Sequence, residues 1–475
     1  MCMLPLTSYA QFTKGLSYRA ETGVSFSGGE HMPFWLTANK QGLSSIEKNN
    51  GYLRAGVFRE LEKDKPFSYA FGADLAVAYN FTSTFVVQQL YADLKYRCLG
   101  LSIGSKERHS EFNNPLLSSG GLTFSGNARS VPQVRIGIPE YTLVPGTKGW
   151  LAFKGHIAYG MFTDDGWQKD FVAPGGKHTE HVLYHSKDLY VKIGNKEKFP
   201  LIFEGGLEMA AQFGGNAFRG NEKIDMPNGI KDFFKVFIPS GGSSDTPMGE
   251  QTNIYGNHLG SWNFSLTWYA SQDWTVRPYY EHYFEDHSQM FGEYGWKDCL
   301  AGVEITLPKN PVIGSFVYEY ISTKDQTGPV YWDHTPEIPE QVSGADNYYN
   351  HGIYTGWQHW GMGIGNPLVM SPVYNEDGVI SFKSSRMQGH HFGIIGNLCG
   401  DLQYRILLSV TRNWGTYNLP FYEIKKNGNA LAELKYTPHT LEGWDFTASL
   451  GIDRGAMLGK SVGGMLTIRK TGWIR

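Results

Sequence analysis

The stretch "EGWDFTASLGID", residues 442–453, reads as a strand with two unlike faces. Trp444, Phe446, Ala448, Leu450 and Ile452 alternate with Asp445, Thr447, Ser449, Gly451 and Asp453. Successive side chains of a strand point to opposite faces, so this period of two sorts apolar from polar residues cleanly. The same sorting recurs along the chain. In "SYAFGADLAVAYN" (68–80), Tyr69, Phe71, Leu75, Val77 and Tyr79 oppose Ala70, Gly72, Asp74 and Ala76. In "SWNFSLTWY" (261–269), Trp262, Phe264, Leu266 and Trp268 oppose Asn263, Ser265 and Thr267. "DLQYRILLSV" (401–410) repeats the pattern.

Alternation bounded by turn residues marks strands at 17–28, 51–62, 68–80, 83–96, 99–106, 133–144, 149–163, 181–195 and 200–212. It marks further strands at 259–270, 274–286, 298–307, 311–322, 389–398, 401–412, 429–437, 442–452 and 461–471. Most are longer than the roughly 5–6 residues of a globular strand and match the roughly 9–11 needed to cross a bilayer. Gaps after even-numbered strands are short. Those after odd-numbered strands are mostly long, as in 29–50, 107–132, 164–180, 213–258 and 323–388. Outer-membrane barrels segregate connections in this way, and their aromatic residues flank the apolar band as Tyr69 and Tyr79 do here.

The expected fold is all-β: a single transmembrane antiparallel β-barrel of about 18 strands, with short periplasmic turns and long external loops. Closure follows from physics, because each unpaired backbone group in lipid costs several kcal/mol. Residues 11–475 form this barrel, with loops 107–132, 213–258 and 323–388 capping its external mouth. Residues 1–10, with Ser8 and Ala10 spaced as a peptidase site, are read as the remnant of a signal peptide. A soluble sandwich or propeller is the competing architecture, and its strands are usually half as long.

Bulk composition agrees. The 475 residues carry 42 Lys+Arg against 45 Asp+Glu, which excludes a strongly basic nucleic-acid footprint. No stretch approaches the roughly 20 apolar residues of a transmembrane helix. Cys2, Cys98, Cys299 and Cys399 are widely spaced and are expected as isolated buried or half-buried thiols, without a metal site.

"YYNHGIYTGWQHWGMGIGNPL" (348–368), in the longest loop, is the richest candidate for binding. Tyr354, Trp357 and Trp360 offer rings for the C–H faces of sugars, and Asn350, Gln358 and His359 offer polar groups for hydroxyls. The competing use of these rings is packing within the loop itself. "NNPLLSSGGLTFSGNARSVPQVRIGIPEY" (113–141) supplies Arg129 and Arg135, able to hold a carboxylate such as a uronic acid, or to pair with lumen charges. Trp35, in "MPFWLTANKQG" (32–42), is a further aromatic platform or loop packing. No GxSxG, HExxH or Walker A motif stands in its catalytic context. His282, Glu285, Asp286, His287 and Ser288 cluster in "EHYFEDHSQ" (281–289), but alternation scatters them over both faces, a poor catalytic geometry.

The blocks 32–42, 348–368, "LSSGGLTFSGNARSVPQVRIGIPEYTLVPGTKGWLAFKGHIAYGMF" (117–162) and "HVLYHSKDLYVKIG" (181–194) resemble the capsule assembly Wzi family in its Bacteroidetes form. The resemblance runs from about Tyr18 to the final strand. It implies an 18-stranded outer-membrane barrel with a lectin-like role: binding exported capsular polysaccharide and helping to attach and organise the capsule at the cell surface. It implies no catalysis and no cofactor. Enterobacterial members of the family carry a helical bundle at the periplasmic side, and no equivalent is legible here. The C-terminus departs from the usual terminal aromatic, since Trp473 is followed by Ile474 and Arg475. The expected partners are capsular polysaccharide and outer-membrane lipid, with a monomer as the working state. The alternative is a porin-like channel for oligosaccharides or other small solutes, since about 18 strands leave room for a lumen.

Overall fold

The computed structural model describes residues 15–238, 255–271, 274–285, 290–291, 295–310, 312–329 and 343–474. Cys2, the signal-peptide remnant, Asp286, His287 and Ser288 lie outside these residues.

The strands are β1 (Leu16–Gly29), β2 (Asn49–Arg59), β3 (Phe67–Tyr79), β4 (Phe85–Tyr96), β5 (Leu99–Ser105) and β6 (Gln133–Leu143). They continue with β7 (Leu151–Met161), β8 (Leu183–Ile193), β9 (Leu201–Phe213), β10 (Asn257–Ser271), β11 (Trp274–Glu285) and β12 (Cys299–Thr306). The last are β13 (Ser315–Ser322), β14 (Arg386–Cys399), β15 (Leu402–Gly415), β16 (Pro420–Tyr436), β17 (Trp444–Gly455) and β18 (Gly459–Trp473). Each pairs antiparallel with its sequence neighbours, giving one 18-stranded sheet. β1 also pairs with β18, from Ser17 opposite Trp473 to Gly29 opposite Ser461, so the sheet closes on itself and has no free edge.

The period of two is realised as an inverted protein. On β17, Leu450 and Ile452 are 49% and 45% exposed on the outside, while Asp453 is 3% exposed on the inside. Leu53, Val77, Val410 and Leu466 continue the apolar exterior, and Asp74, Glu319 and His391 are buried in the lumen. This is the reverse of a water-soluble fold and fits a wall that faces lipid. Exterior aromatics such as Phe67, Tyr96, Trp268, Trp274 and Trp473 collect at the end of the barrel bearing the short turns. Charges that point inward are largely paired, as in Arg54 with Asp74 at 2.6 Å and Arg405 with Glu433 at 2.9 Å.

Two expectations need correction. The strand placed at 429–437 begins at Pro420, and its partner, placed at 401–412, continues to Gly415, so the two form a tall hairpin. The hairpin stands clear of the apolar band, with Tyr422 fully exposed, so its residues carry no apolar alternation to read. Cys98 and Cys399 are exposed at short turns, and only Cys299 among the described cysteines is buried.

The long connections fold inward. Residues 30–48, 106–132 and the described part of 323–385 pack together into a plug within the barrel, with short helices α1 (Phe34–Thr37), α2 (Asp165–Phe171) and α3 (Ile230–Phe237) among the connections. Small residues on the wall admit the plug. A side chain at Gly393 of β14 would meet the Leu117 carbonyl oxygen at 2.3 Å. Gly393→Val is therefore expected to cost about 1–3 kcal/mol through overpacking. Limited proteolysis within 106–132 checks this, with faster cleavage expected in the variant.

Candidate functional site

The plug is held by carboxylates of the barrel wall that accept hydrogen bonds from loop backbone. Glu281 accepts from the amides of Leu122 and Thr123 at 2.9 and 3.1 Å. Glu319 accepts from the Ser119 amide at 2.8 Å and from the hydroxyls of Ser118 and Ser119 at 2.5 and 2.6 Å. Asp453 accepts from the Phe34 amide at 2.7 Å, tying down α1. Charge-assisted bonds of this kind are stronger than neutral ones and satisfy loop backbone that would otherwise be buried unpaired.

Most of the candidate binding residues lie inside this plug. Trp357 is fully buried, stacks on Tyr184 with ring centroids 6.0 Å apart, and donates its indole N–H to the Thr123 carbonyl at 2.8 Å. Tyr354 is buried against Gly214, donating its hydroxyl to that carbonyl at 3.3 Å. Asn350 exchanges hydrogen bonds with the Phe382 backbone at 2.8 and 2.9 Å. Trp35 donates to Ser409 of the wall at 3.2 Å and lies on the His391 ring.

Gln358 and His359 form one strand of a two-residue hairpin whose other strand is Met362–Gly363. Its turn residues, Trp360 and Gly361, have φ of 56° and 80°. Such a turn usually carries Asn-Gly, and a bulky side chain held at positive φ costs about 1–3 kcal/mol. The cost is borne by surrounding bonds: Asp164 accepts from the Trp360 amide and the Gln358 side chain, both at 3.1 Å. His359 is buried, which lowers its pKa and keeps the ring neutral. Its Nε2 accepts from the Thr163 amide at 3.2 Å, so Nδ1–H donates to the Arg129 carbonyl at 2.9 Å. His359 thus fixes Arg129.

The product is a cavity of about 190 Å³ at the long-loop end, built from connections alone. Arg129 and Trp360 line it together, with Trp167, Phe171, Asn80 and Glu47. The Arg129 guanidinium lies over the Trp360 ring at 4.4 Å and donates to Thr82 Oγ1 at 3.0 Å. It makes no ion pair within 4 Å among the described residues. Burial lowers its pKa to about 10, which leaves it charged at neutral pH. Trp167 and Phe171 of α2 add a second aromatic wall, their rings 4.9 Å apart. A buried guanidinium without an ion-pair partner, set between aromatic faces, has the chemistry to hold an acidic sugar.

Arg135 is elsewhere. It points inward from β6 into a separate lumen chamber, 4.0 Å from Asp188. Sequence reading passed over Trp167 and Phe171 because gap 164–180 shows no pattern beyond polarity. Of the residues weighed for catalysis, His282 packs on Trp296 at 4.3 Å, and Glu285 accepts from the Tyr349 amide at 2.6 Å. Among the described residues no group of His, Cys, Asp and Glu is arranged to hold a metal ion.

No protein-family model matches the sequence, and no curated protein matches it. Solved structures do. The chain aligns with Wzi of Escherichia coli, described as an outer-membrane protein involved in group 1 capsule assembly and a carbohydrate-binding β-barrel. The TM-score is 0.58 at 12% identity, covering 97% of this chain and 86% of Wzi. OccK5 and OprD of Pseudomonas aeruginosa align with TM-scores of 0.48, at 10% and 9% identity. These alignments cover 97% of this chain in both cases, and 98% and 94% of the respective structures. The fold is that of outer-membrane β-barrels.

Proposed function

We propose that this chain is a Wzi-like outer-membrane lectin that binds exported capsular polysaccharide and helps attach the capsule to the cell surface. The long-loop end faces outward, and the plug presents the binding residues there. The observation that carries this reading is the mouth cavity, where Arg129 lies unpaired over Trp360 and opposite Trp167. The carbohydrate-binding character of Wzi, with which the barrel shares its fold, supports the same reading. Stacking contacts of roughly 1 kcal/mol each favour weak, multivalent binding along a polymer over tight capture of one sugar.

The test is a strain lacking the gene, complemented with wild type or with R129Q/W360A. Wild type is expected to keep polysaccharide on washed cells. The variant is expected to release most of it into the medium at unchanged total synthesis and unchanged barrel level. An equal partition in both strains removes the mouth cavity from the function. The channel reading draws on the lumen chamber beneath the plug, and steady large conductance of the wild-type protein in a planar bilayer favours it instead.

A further inference from the structure

The plug has two sides, and its underside carries the second large cavity. A chamber of about 400 Å³ lies between the plug and the wall formed by β4 to β9. Its ceiling includes Thr123, Phe124 and Trp357 of the plug, and it extends to Lys95 and Pro139 near the short turns. This volume falls within the roughly 300–1,000 Å³ typical of small-molecule sites. Between the chamber and Arg129 lies a void of only about 10 Å³. That is room for at most one water, so the chamber and the mouth cavity are separate compartments while the plug stays in place.

The chamber's carboxylates are mostly spoken for. Asp93 pairs with Lys106 at 2.5 Å, Glu107 with Arg54 at 2.7 Å and Glu111 with Lys154 at 2.5 Å. Asp188 lies 2.8 Å from His156, and Glu208 accepts from the Tyr190 hydroxyl at 3.3 Å. Two guanidiniums are left. Arg108 donates to the Lys106 carbonyl at 3.3 Å and to Ser102 Oγ at 3.0 Å, with no carboxylate within 4 Å among the described residues. Among the described residues Arg135 reaches only Asp188, at 4.0 Å. Burial, and then the neighbouring Arg135, lower the Arg108 pKa to about 10, the mark of two like charges sharing a poorly hydrated space.

We propose that this chamber is a second binding site, reached from the short-turn end, for a carboxylate-bearing saccharide clamped between Arg108 and Arg135. Paired guanidiniums match a carboxylate's geometry. Ser102 and Ser186 face the chamber as partners for hydroxyls, and Tyr184 offers an aromatic surface. A saccharide as occupant rests on the polysaccharide reading above, whereas the anion preference rests on the two arginines alone. The site places an acidic glycan on the inner side of the plug, opposite the mouth cavity.

The experiment titrates trigalacturonic acid, neutral maltotriose and inorganic phosphate into the detergent-solubilised full chain by calorimetry. Wild type is expected to bind trigalacturonic acid at two sites. R108Q/R135Q should lose one of them, with at least a tenfold rise in Kd, and R129Q/W360A should keep it. R108K/R135K, which retains the charge but not the fork, should bind with intermediate affinity. Heat-modifiable migration on gels shows which variants remain folded barrels. Unchanged binding by folded R108Q/R135Q overturns the proposal. Loss of all binding in R129Q/W360A alone also overturns it while leaving the mouth cavity standing, and loss confined to R108Q/R135Q supports it at the expense of that cavity. Phosphate binding as tightly as trigalacturonic acid overturns the saccharide assignment.

Discussion

Replacing Glu281 and Glu319 together with Ala is expected to release the plug and open the barrel. Glu319 accepts from Ser118, from both donors of Ser119 and from the Tyr279 hydroxyl, the last at 2.5 Å. Glu281 accepts from the amides of Leu122 and Thr123. Each buried donor left without a partner costs about 1–3 kcal/mol. Water could relieve these donors only by entering the lumen, which is the outcome expected. The barrel itself should persist, because its stability lies in ladder bonds between strands that neither carboxylate makes. Planar-bilayer recording checks this: the double variant should show large single-channel steps where wild type shows small or none. Glu319→Gln alone should do much less, since the amide keeps one acceptor. Large steps already present in wild type would mean that the plug does not seal.

Trp357→Ala is expected to loosen the plug by about 3–5 kcal/mol, the usual cost of truncating a buried large aromatic residue. The indole is fully buried, stacks on Tyr184 and caps the Thr123 carbonyl, so its loss leaves both a cavity and an unpaired acceptor. Trp360→Ala, three residues away, should leave the plug's resistance to protease almost unchanged. That ring is only half buried, and it contacts Arg129 in a cation–π pair worth about 0.5–2 kcal/mol. The two variants should therefore separate. Trp357→Ala should accelerate proteolysis of 343–385, and Trp360→Ala should weaken glycan binding with proteolysis unchanged. Similar proteolysis in both would place Trp360 among the plug's structural residues.

The same pair shows where sequence reading stops. Trp357 and Trp360 look alike in "GWQHWG", because a loop has no period to sort inward from outward. Their difference is set by a two-residue turn that forces Trp360 to positive φ, and by Asp164, which lies nearly two hundred residues earlier. In the sequence, Arg129 and Arg135 look equally fit to hold one carboxylate or to pair with lumen charges. They belong to different compartments because Arg129 precedes β6 within the plug, whereas Arg135 is on β6 and follows the alternation of the wall.

The barrel, by contrast, was legible from local pattern. Alternation sorts each strand's faces without reference to any other strand, and lipid outside a closed sheet demands an apolar face that water would not. Strand number, the apolar exterior and the end that bears the long connections all follow from that one constraint. The filling of the lumen does not. It depends on Glu281 and Glu319 reaching loop amides more than 150 residues away, and on Gly393 leaving room for the Leu117 backbone. Such contacts have no sequence period, since they join wall positions to irregular backbone. The two arginine compartments exist only once those contacts are made. The wall is thus written in local, repeated alternation, whereas the plug and the cavities on either side of it arise from contacts between distant segments.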